Sequence, residues 1–167
     1  MSVLPIPDLI KNNIYEITPE IFLRRGVKFV FLDVDNTIAP YTVSLASPEM
    51  IAWVQRLKDA GLDMFILSNN RGDRPAYFAG ALDLPYRKKA WKPFTKIAKE
   101  VLREKGYSAL ETAFIGDQIY TDACCAKWCG AYCVLVHPIQ FHKFILRFRY
   151  WLEAPFRGAY LLRGAKK

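Results

Sequence analysis

Residues 29–34 read Phe-Val-Phe-Leu-Asp-Val. A strand sends alternate side chains to opposite faces, and this run offers apolar groups to both. A strand that is apolar on both faces has to be covered on both, as in a parallel sheet between two layers of helices. The runs "DMFILS" from Asp63, "ETAFIGD" from Glu111 and "AYCVLV" from Ala131 have the same character, and a short strand is expected near Tyr86. Helix patterns lie between them. In "TPEIFLRRG" Thr18 can cap, Pro19 suits the first helical position and Gly26 can close the helix. "SPEMIAWVQRLKDAG" repeats that grammar with Ser47, Pro48 and Gly61, and its stripe is Met50, Ile51, Val54 and Leu57. Further helices are expected from about Asp73 to Ala81, over "PFTKIAKEVLREKG" and over "TDACCAKWCG". Strands alternating with helices and joined by right-handed crossovers predict an α/β fold, a three-layer, doubly wound, mainly parallel sheet. A length of 167 residues suits one domain over 1–167.

The first strand ends in an arrangement that costs stability unless something offsets it. Asp33 and Asp35 are two residues apart, and two like charges held close oppose each other's ionisation. The other strand ends carry polar groups too: Ser68-Asn69-Asn70, then Gly116-Asp117-Gln118 with Thr121-Asp122 just beyond, while Lys92-Pro93 is read as opening a helix. In doubly wound sheets the ligand lies outside the carboxyl ends of the strands, so these groups converge on one rim. Carboxylate oxygens suit Mg²⁺, and a lysine beside them suits a phosphoryl group. A metal and a lysine would offset the acidic charge.

In order and in placement these residues resemble the motifs of the haloacid dehalogenase (HAD) superfamily. "DVDNT" is similar to its first motif, "SNN" to its second, Lys92 to its third and "GDQIYTD" to its fourth. The resemblance implies that Asp33 is the nucleophile and forms an aspartyl-phosphate. It makes Asp35 the general acid and base, Thr37 the residue that positions the loop around it, and Ser68 and Asn69 part of the phosphoryl-binding set. Lys92 would neutralise charge on the phosphoryl group and on Asp33. Mg²⁺ would be held by Asp33, the backbone carbonyl of Asp35, and Asp117. Asp122 is expected to orient Lys92 or a water on the metal. The run "FLDVDNTIAPY", "SNN", "WKP", "GDQIYTD" and "VHPI" resembles the YqeG-like branch, HAD subfamily IIIA, over nearly the whole chain. That branch is related to mitochondrial and plastid phosphatidylglycerophosphate phosphatases. Trp91 stands where members often have a second basic residue, with Lys88 and Lys89 close by.

Residues 38–67 and 70–91 leave no room for a cap domain, so an open site is expected. An open site suits a large substrate, or a small one closed over by a partner subunit. From about residue 138 the chain turns basic and aromatic: Lys143, Arg147, Arg149, Arg157, Arg163, Lys166 and Lys167 face the single acid Glu153 and carry most of the net charge of +8. On a helical wheel Phe141, Phe144, Ile145, Phe148, Trp151 and Leu152 share a face opposite Lys143 and Arg147. Two readings of this segment stay open: peripheral contact of 141–167 with an anionic membrane, or docking on its own sheet.

No apolar run is long enough to span a bilayer, and the start of the chain, with two early prolines and no basic lead, does not read as a signal peptide. The expected location is cytoplasmic, with peripheral contact at the inner face of the membrane. In that compartment Cys124, Cys125, Cys129 and Cys133 read as small buried side chains, and His137 and His142 as structural. The expected function is a Mg²⁺-dependent phosphatase acting on a phosphomonoester, with phosphatidylglycerophosphate first. Soluble sugar or nucleotide phosphates are the alternative. A basic RNA- or ribosome-associated binding protein with little turnover is a third reading, nucleic acid being the less favoured partner.

Overall fold

The computed structural model describes residues 4–140, 147 and 150–164. Six parallel strands form one sheet: β1 (Leu9–Lys11), β2 (Phe29–Leu32), β3 (Asp63–Leu67), β4 (Tyr86–Arg87), β5 (Thr112–Gly116) and β6 (Tyr132–Val136). Their spatial order is β1-β6-β5-β2-β3-β4. The helices are α1 (Pro19–Leu23), α2 (Pro48–Asp59), α3 (Arg74–Leu82), α4 (Lys96–Lys105), α5 (Cys124–Cys129) and α6 (Ala154–Gly164).

The alternation in β2 sets up the two layers. Val30 and Leu32 point to one side, where they meet Trp53, Val54 and Leu57 of α2 and Phe78 and Leu82 of α3. Phe29 and Phe31 point to the other, among Phe65, Phe114, Val101 and Leu102 of α4 and Cys125 of α5. The rings there meet edge-on or tilted, Phe29 and Phe31 at 5.0 Å and 85°, the geometry their quadrupoles favour. The one polar atom of buried Trp53, its indole Nε1, donates to the Ile17 carbonyl at 2.9 Å, so burying the ring leaves no donor unpaired.

Three local readings are corrected. β1 was not expected; its three half-buried residues extend the sheet beside β6. Lys92-Pro93 does not open a helix, because α4 begins at Lys96. The helix expected over 121–130 is entered through a π turn, Ile119–Ala123. Cys124, Cys125 and Cys133 are buried and unbridged, and Cys129 is half-buried, in keeping with small core side chains.

β2 lies at the centre, with β3 on one side and β5 on the other. The chain thus winds outward in both directions from this strand. The crevice at such a switch point, beyond the carboxyl ends of the strands, is where this architecture holds ligands.

Candidate active site

Leu32 is level with Ile66 of β3 and Ile115 of β5. Asp33, Ser68 and Asp117 therefore leave the sheet side by side. Their side chains are buried, as are those of Thr37, Lys92 and Asp122. Lys92 Nζ donates to Asp33 at 2.7 Å and to Asp122 at 2.6 Å. Thr37 Oγ1 lies 3.2 Å from an Asp117 oxygen and 3.4 Å from one of Asp33. Asp33, Asp117 and Asp122 each bring a carboxylate oxygen within 4.8 Å of the others.

The backbone enforces this closeness. A side chain at Gly116 would put Cβ 2.3 Å from Asp122 Cγ, so only glycine lets Asp122 fold back beneath β5. The backbone N–H of Gln118 and the hydroxyl of Thr121 then hold its second oxygen. Asn69 clamps the Lys92 backbone from both sides: its Nδ2 donates to the Lys92 carbonyl at 2.8 Å, and its Oδ1 accepts from the Lys92 N–H at 2.7 Å. Asn69 thus positions Lys92. Trp91 and Lys89 beside it take left-handed backbone angles, φ 56° and 55°, a conformation bulky residues seldom adopt outside functional loops.

Asp33, Asp35 and Lys92 open on a pocket of about 280 Å³, whose other walls come from Tyr41, Ser68, Asn69, Asn70, Gln118 and Thr121. Four acidic side chains, a lysine and small polar groups at consecutive strand ends form the arrangement that the sequence motifs anticipate. The family described as mitochondrial PGP phosphatase matches residues 2–139.

The chain belongs to that family. YqeG of Bacillus subtilis (strain 168), named as a phosphatase, is 32% identical over 95% of this chain and 93% of its own. The chloroplastic/mitochondrial phosphatidylglycerophosphate phosphatase 1 of Arabidopsis thaliana is 29% identical over 96% of this chain, which spans about half (49%) of that longer protein. Among solved structures, a protein of Streptomyces avermitilis MA-4680 put forward as a HAD family hydrolase superposes with a TM-score of 0.56 at 18% identity, over 74% of this chain and 78% of the other. A hypothetical protein of Xanthomonas campestris gives 0.57 at 16%, over 81% and 74%. As a member of the PGP phosphatase family, the chain is a phosphatase, and its fold is that of the HAD-like structures.

The charges of this PGP phosphatase relative do not balance. One cation, Lys92, serves the three clustered carboxylates, and it bonds two of them, Asp33 and Asp122. Burial alone would push the Lys92 pKa down, but the charges of Asp122 and Asp33 outweigh it and hold the ammonium firmly protonated. Burial pushes the Asp33 pKa up to about 7; Lys92 opposes that rise, and Asp122 adds to it. Burial, then the charges of Asp122 and Asp33, push Asp117 up as well. A buried cluster short of positive charge, rich in oxygen donors and without competing soft ligands, fits a hard divalent cation such as Mg²⁺. Asp33 and Asp117 are the residues that could hold it. Asp122 is close enough to join them, but one of its oxygens is committed to Lys92.

The side chain of Asp35 faces away from that trio. Arg74 Nε donates to one of its oxygens at 2.6 Å, and Asn70 Nδ2 to the other at 2.7 Å. Arg74 also donates to the carbonyls of Ala39, Pro40 and Val43. It thereby ties the loop after Asp35 to α3. Arg74 was not singled out from the sequence, and Asn70 was named there only as part of the Ser68-Asn69-Asn70 strand end, with no role of its own. A signal for Arg74 was present: it is a cation in the first turn of a helix, where the dipole disfavours positive charge, so it needed an acid nearby. Thr37, expected to shape the loop around Asp35, contacts Asp33 and Asp117 with its hydroxyl instead.

His137 Nδ1 lies 3.0 Å from the Tyr150 hydroxyl, a structural contact. His142, Lys143 and the stripe residues Phe141, Phe144, Ile145 and Phe148 lie outside the described residues. No helix among the described residues is long and apolar enough to cross a membrane.

Proposed function

We propose that the chain is a Mg²⁺-dependent phosphatase of the capless HAD type, with phosphatidylglycerophosphate as its substrate and Asp33 as its nucleophile. The observation that carries this reading is the charge-deficient cluster of Asp33, Asp117 and Asp122 with Lys92, which meets an open pocket through Asp33 and Lys92. The family match and the likeness to a plant phosphatidylglycerophosphate phosphatase support the lipid substrate.

Asp33 attacks phosphorus, and the bond to the alcohol oxygen breaks. Ser68 and Lys92 hold the phosphoryl oxygens in line for that attack. Asp35, carrying a proton, gives it to the departing oxygen. Its carboxylate then takes a proton from the water that cleaves the aspartyl-phosphate. Asp122 keeps Lys92 aimed at Asp33. Mg²⁺, held by Asp33, Asp117 and the backbone carbonyl of Asp35, would neutralise the phosphoryl charge during transfer.

The test is phosphate release from a panel: phosphatidylglycerophosphate in detergent micelles, a sugar phosphate and a nucleoside monophosphate, each with Mg²⁺ and with EDTA. Fastest release from the lipid, lost in EDTA, is expected. Faster release from the soluble esters would move the assignment to a soluble phosphomonoester. No release from any of them would leave a binding protein.

A further inference from the structure

We infer that the outward face of α6 is the surface through which this chain seats on an anionic lipid bilayer. The inference rests on the lipid-phosphate reading above and adds where the membrane lies.

Surface helices ordinarily bury an apolar stripe and expose polar groups. In α6 this is inverted. Its inward face is polar and aromatic: Glu153 just before it is 2% exposed and Arg157 8%. The two form an ion pair at 3.1 Å. Glu153 also accepts from the Ile119 N–H at 2.8 Å, and Arg157 donates to the carbonyl of Asp117 at 3.1 Å. Phe156 meets the ring of Tyr120 at 5.9 Å, and the Tyr150 ring lies 4.3 Å from the Arg157 guanidinium. The helix is therefore docked on its own domain, against the loop that carries Asp117.

The outward face is apolar. Ala154, Pro155, Leu161 and Leu162 are exposed, the two leucines at 69% each, and Gly158 continues the same side. Trp151 and Leu152, one turn earlier, are exposed as well. Within α6, residues three and four apart share a face, so Ala154, Pro155, Gly158, Leu161 and Leu162 line one side.

Charge selects the occupant. From residue 138 onward the only acid is Glu153, and it is buried against Arg157. The sequence before the helix supplies Lys143, Arg147 and Arg149, and that at its end Arg163, Lys166 and Lys167. An apolar helix face whose neighbouring sequence supplies cations alone complements an anionic interface, where apolar burial and attraction to lipid headgroups add. On this inference one side of α6 docks on the domain and the other faces the bilayer.

The test uses the full chain and the double variant Leu161→Glu/Leu162→Glu, which leaves every pocket group untouched. Co-sedimentation is measured with vesicles of phosphatidylcholine alone and of phosphatidylcholine mixed equally with phosphatidylglycerol. The wild type should bind the mixed vesicles, and the variant should bind them about tenfold less or weaker still. Release of phosphate from a soluble ester should stay unchanged, which also shows that the variant is folded. A wild type that ignores the mixed vesicles overturns the inference, and so does a variant that binds them like the wild type. A variant that binds like the wild type but changes from dimer to monomer would assign the face to a second copy. If the wild type fails to bind vesicles yet hydrolyses the lipid phosphate in micelles, only the surface is wrong. If it binds through α6 but leaves the lipid phosphate intact, the surface stands and the substrate falls.

Discussion

Two buried ionic groups lie on either side of Asp117, and they are built differently. Glu153 and Arg157 are one acid and one base. Asp33, Asp117 and Asp122 are three acids with the one base Lys92, which pairs with Asp33 and Asp122. The first group is internally compensated, so it serves as a clasp: its remaining bonds go to the backbone of residues 117 and 119. The second cannot be neutral while all its members are ionised. Burial with too little countercharge raises the Asp33 and Asp117 pKa values and leaves a demand for a cation. Balance makes a buried pair structural, and imbalance makes it reactive.

Removing one member from each group should separate the two roles. Asp33→Asn should lower phosphate release by about a thousandfold or more, because it deletes the proposed nucleophile. The fold should survive, since volume is kept and a repulsive charge is gone. Glu153→Ala does the reverse. It strands a buried guanidinium and should cost about 3 kcal/mol in chemical denaturation. The double change Glu153→Leu/Arg157→Met should recover most of that loss, because an apolar pair needs no compensation. If Glu153→Ala were harmless, the clasp would contribute nothing.

Arg74 gives a smaller effect on the reactive side. Arg74→Ala releases Asp35 and the 39–43 loop, and should slow hydrolysis of an alkyl phosphate by about tenfold to a hundredfold, the scale of misplaced proton transfer. An aryl phosphate leaves without help from an acid, so its hydrolysis should fall much less. Equal losses on both esters would mean that Arg74 supports the loop and not the proton transfer.

The smallest effect concerns pH. With metal chelated, the folded Asp33 pKa of about 7 lies above its ordinary value of 3.8, so the folded chain binds this proton more tightly than the unfolded one. That contribution to stability is complete below about pH 4 and is lost as pH rises through about 7. The melting temperature of Asp33→Asn should gain on that of the wild type by a few degrees, roughly, between these limits. Mg²⁺ should narrow the gap. A gap that is flat with pH would show that the Asp33 carboxyl is not raised.

Much of this was legible in the sequence, and the rest was hidden for identifiable reasons. β2, β3, β5 and β6 announced themselves because strands buried on both faces are written as unbroken apolar runs. β1 is an edge strand of three half-buried residues, too short to show a pattern. Asp33, Asp35, Thr37, Ser68, Asn69, Lys92, Asp117 and Asp122 were found because each sits at a strand end or in the turn beyond, where the topology decides its place. What the side chains do there was less legible. Asn69 and Thr37 hold other site residues by hydrogen bonds whose directions no pattern encodes. The Arg74–Asp35 and Arg157–Asp117 contacts join residues 39 and 40 positions apart. The Glu153–Arg157 pair at the start of the C-terminal helix was not legible either, because an acid and a base four residues apart read as an exposed pair and only the packing buries them.

The central claim is that the unbalanced cluster serves to make Asp33 attack phosphorus. The most direct measurement traps the covalent product. Chain turning over its substrate with Mg²⁺ is quenched with acid and reduced with borohydride, which converts an aspartyl-phosphate into a homoserine residue. Peptide mass spectrometry then locates the change. The account predicts conversion at Asp33, dependent on substrate and absent from Asp33→Asn. Phosphate release with no modified aspartate, or with the change at Asp35, Asp117 or Asp122, would contradict it.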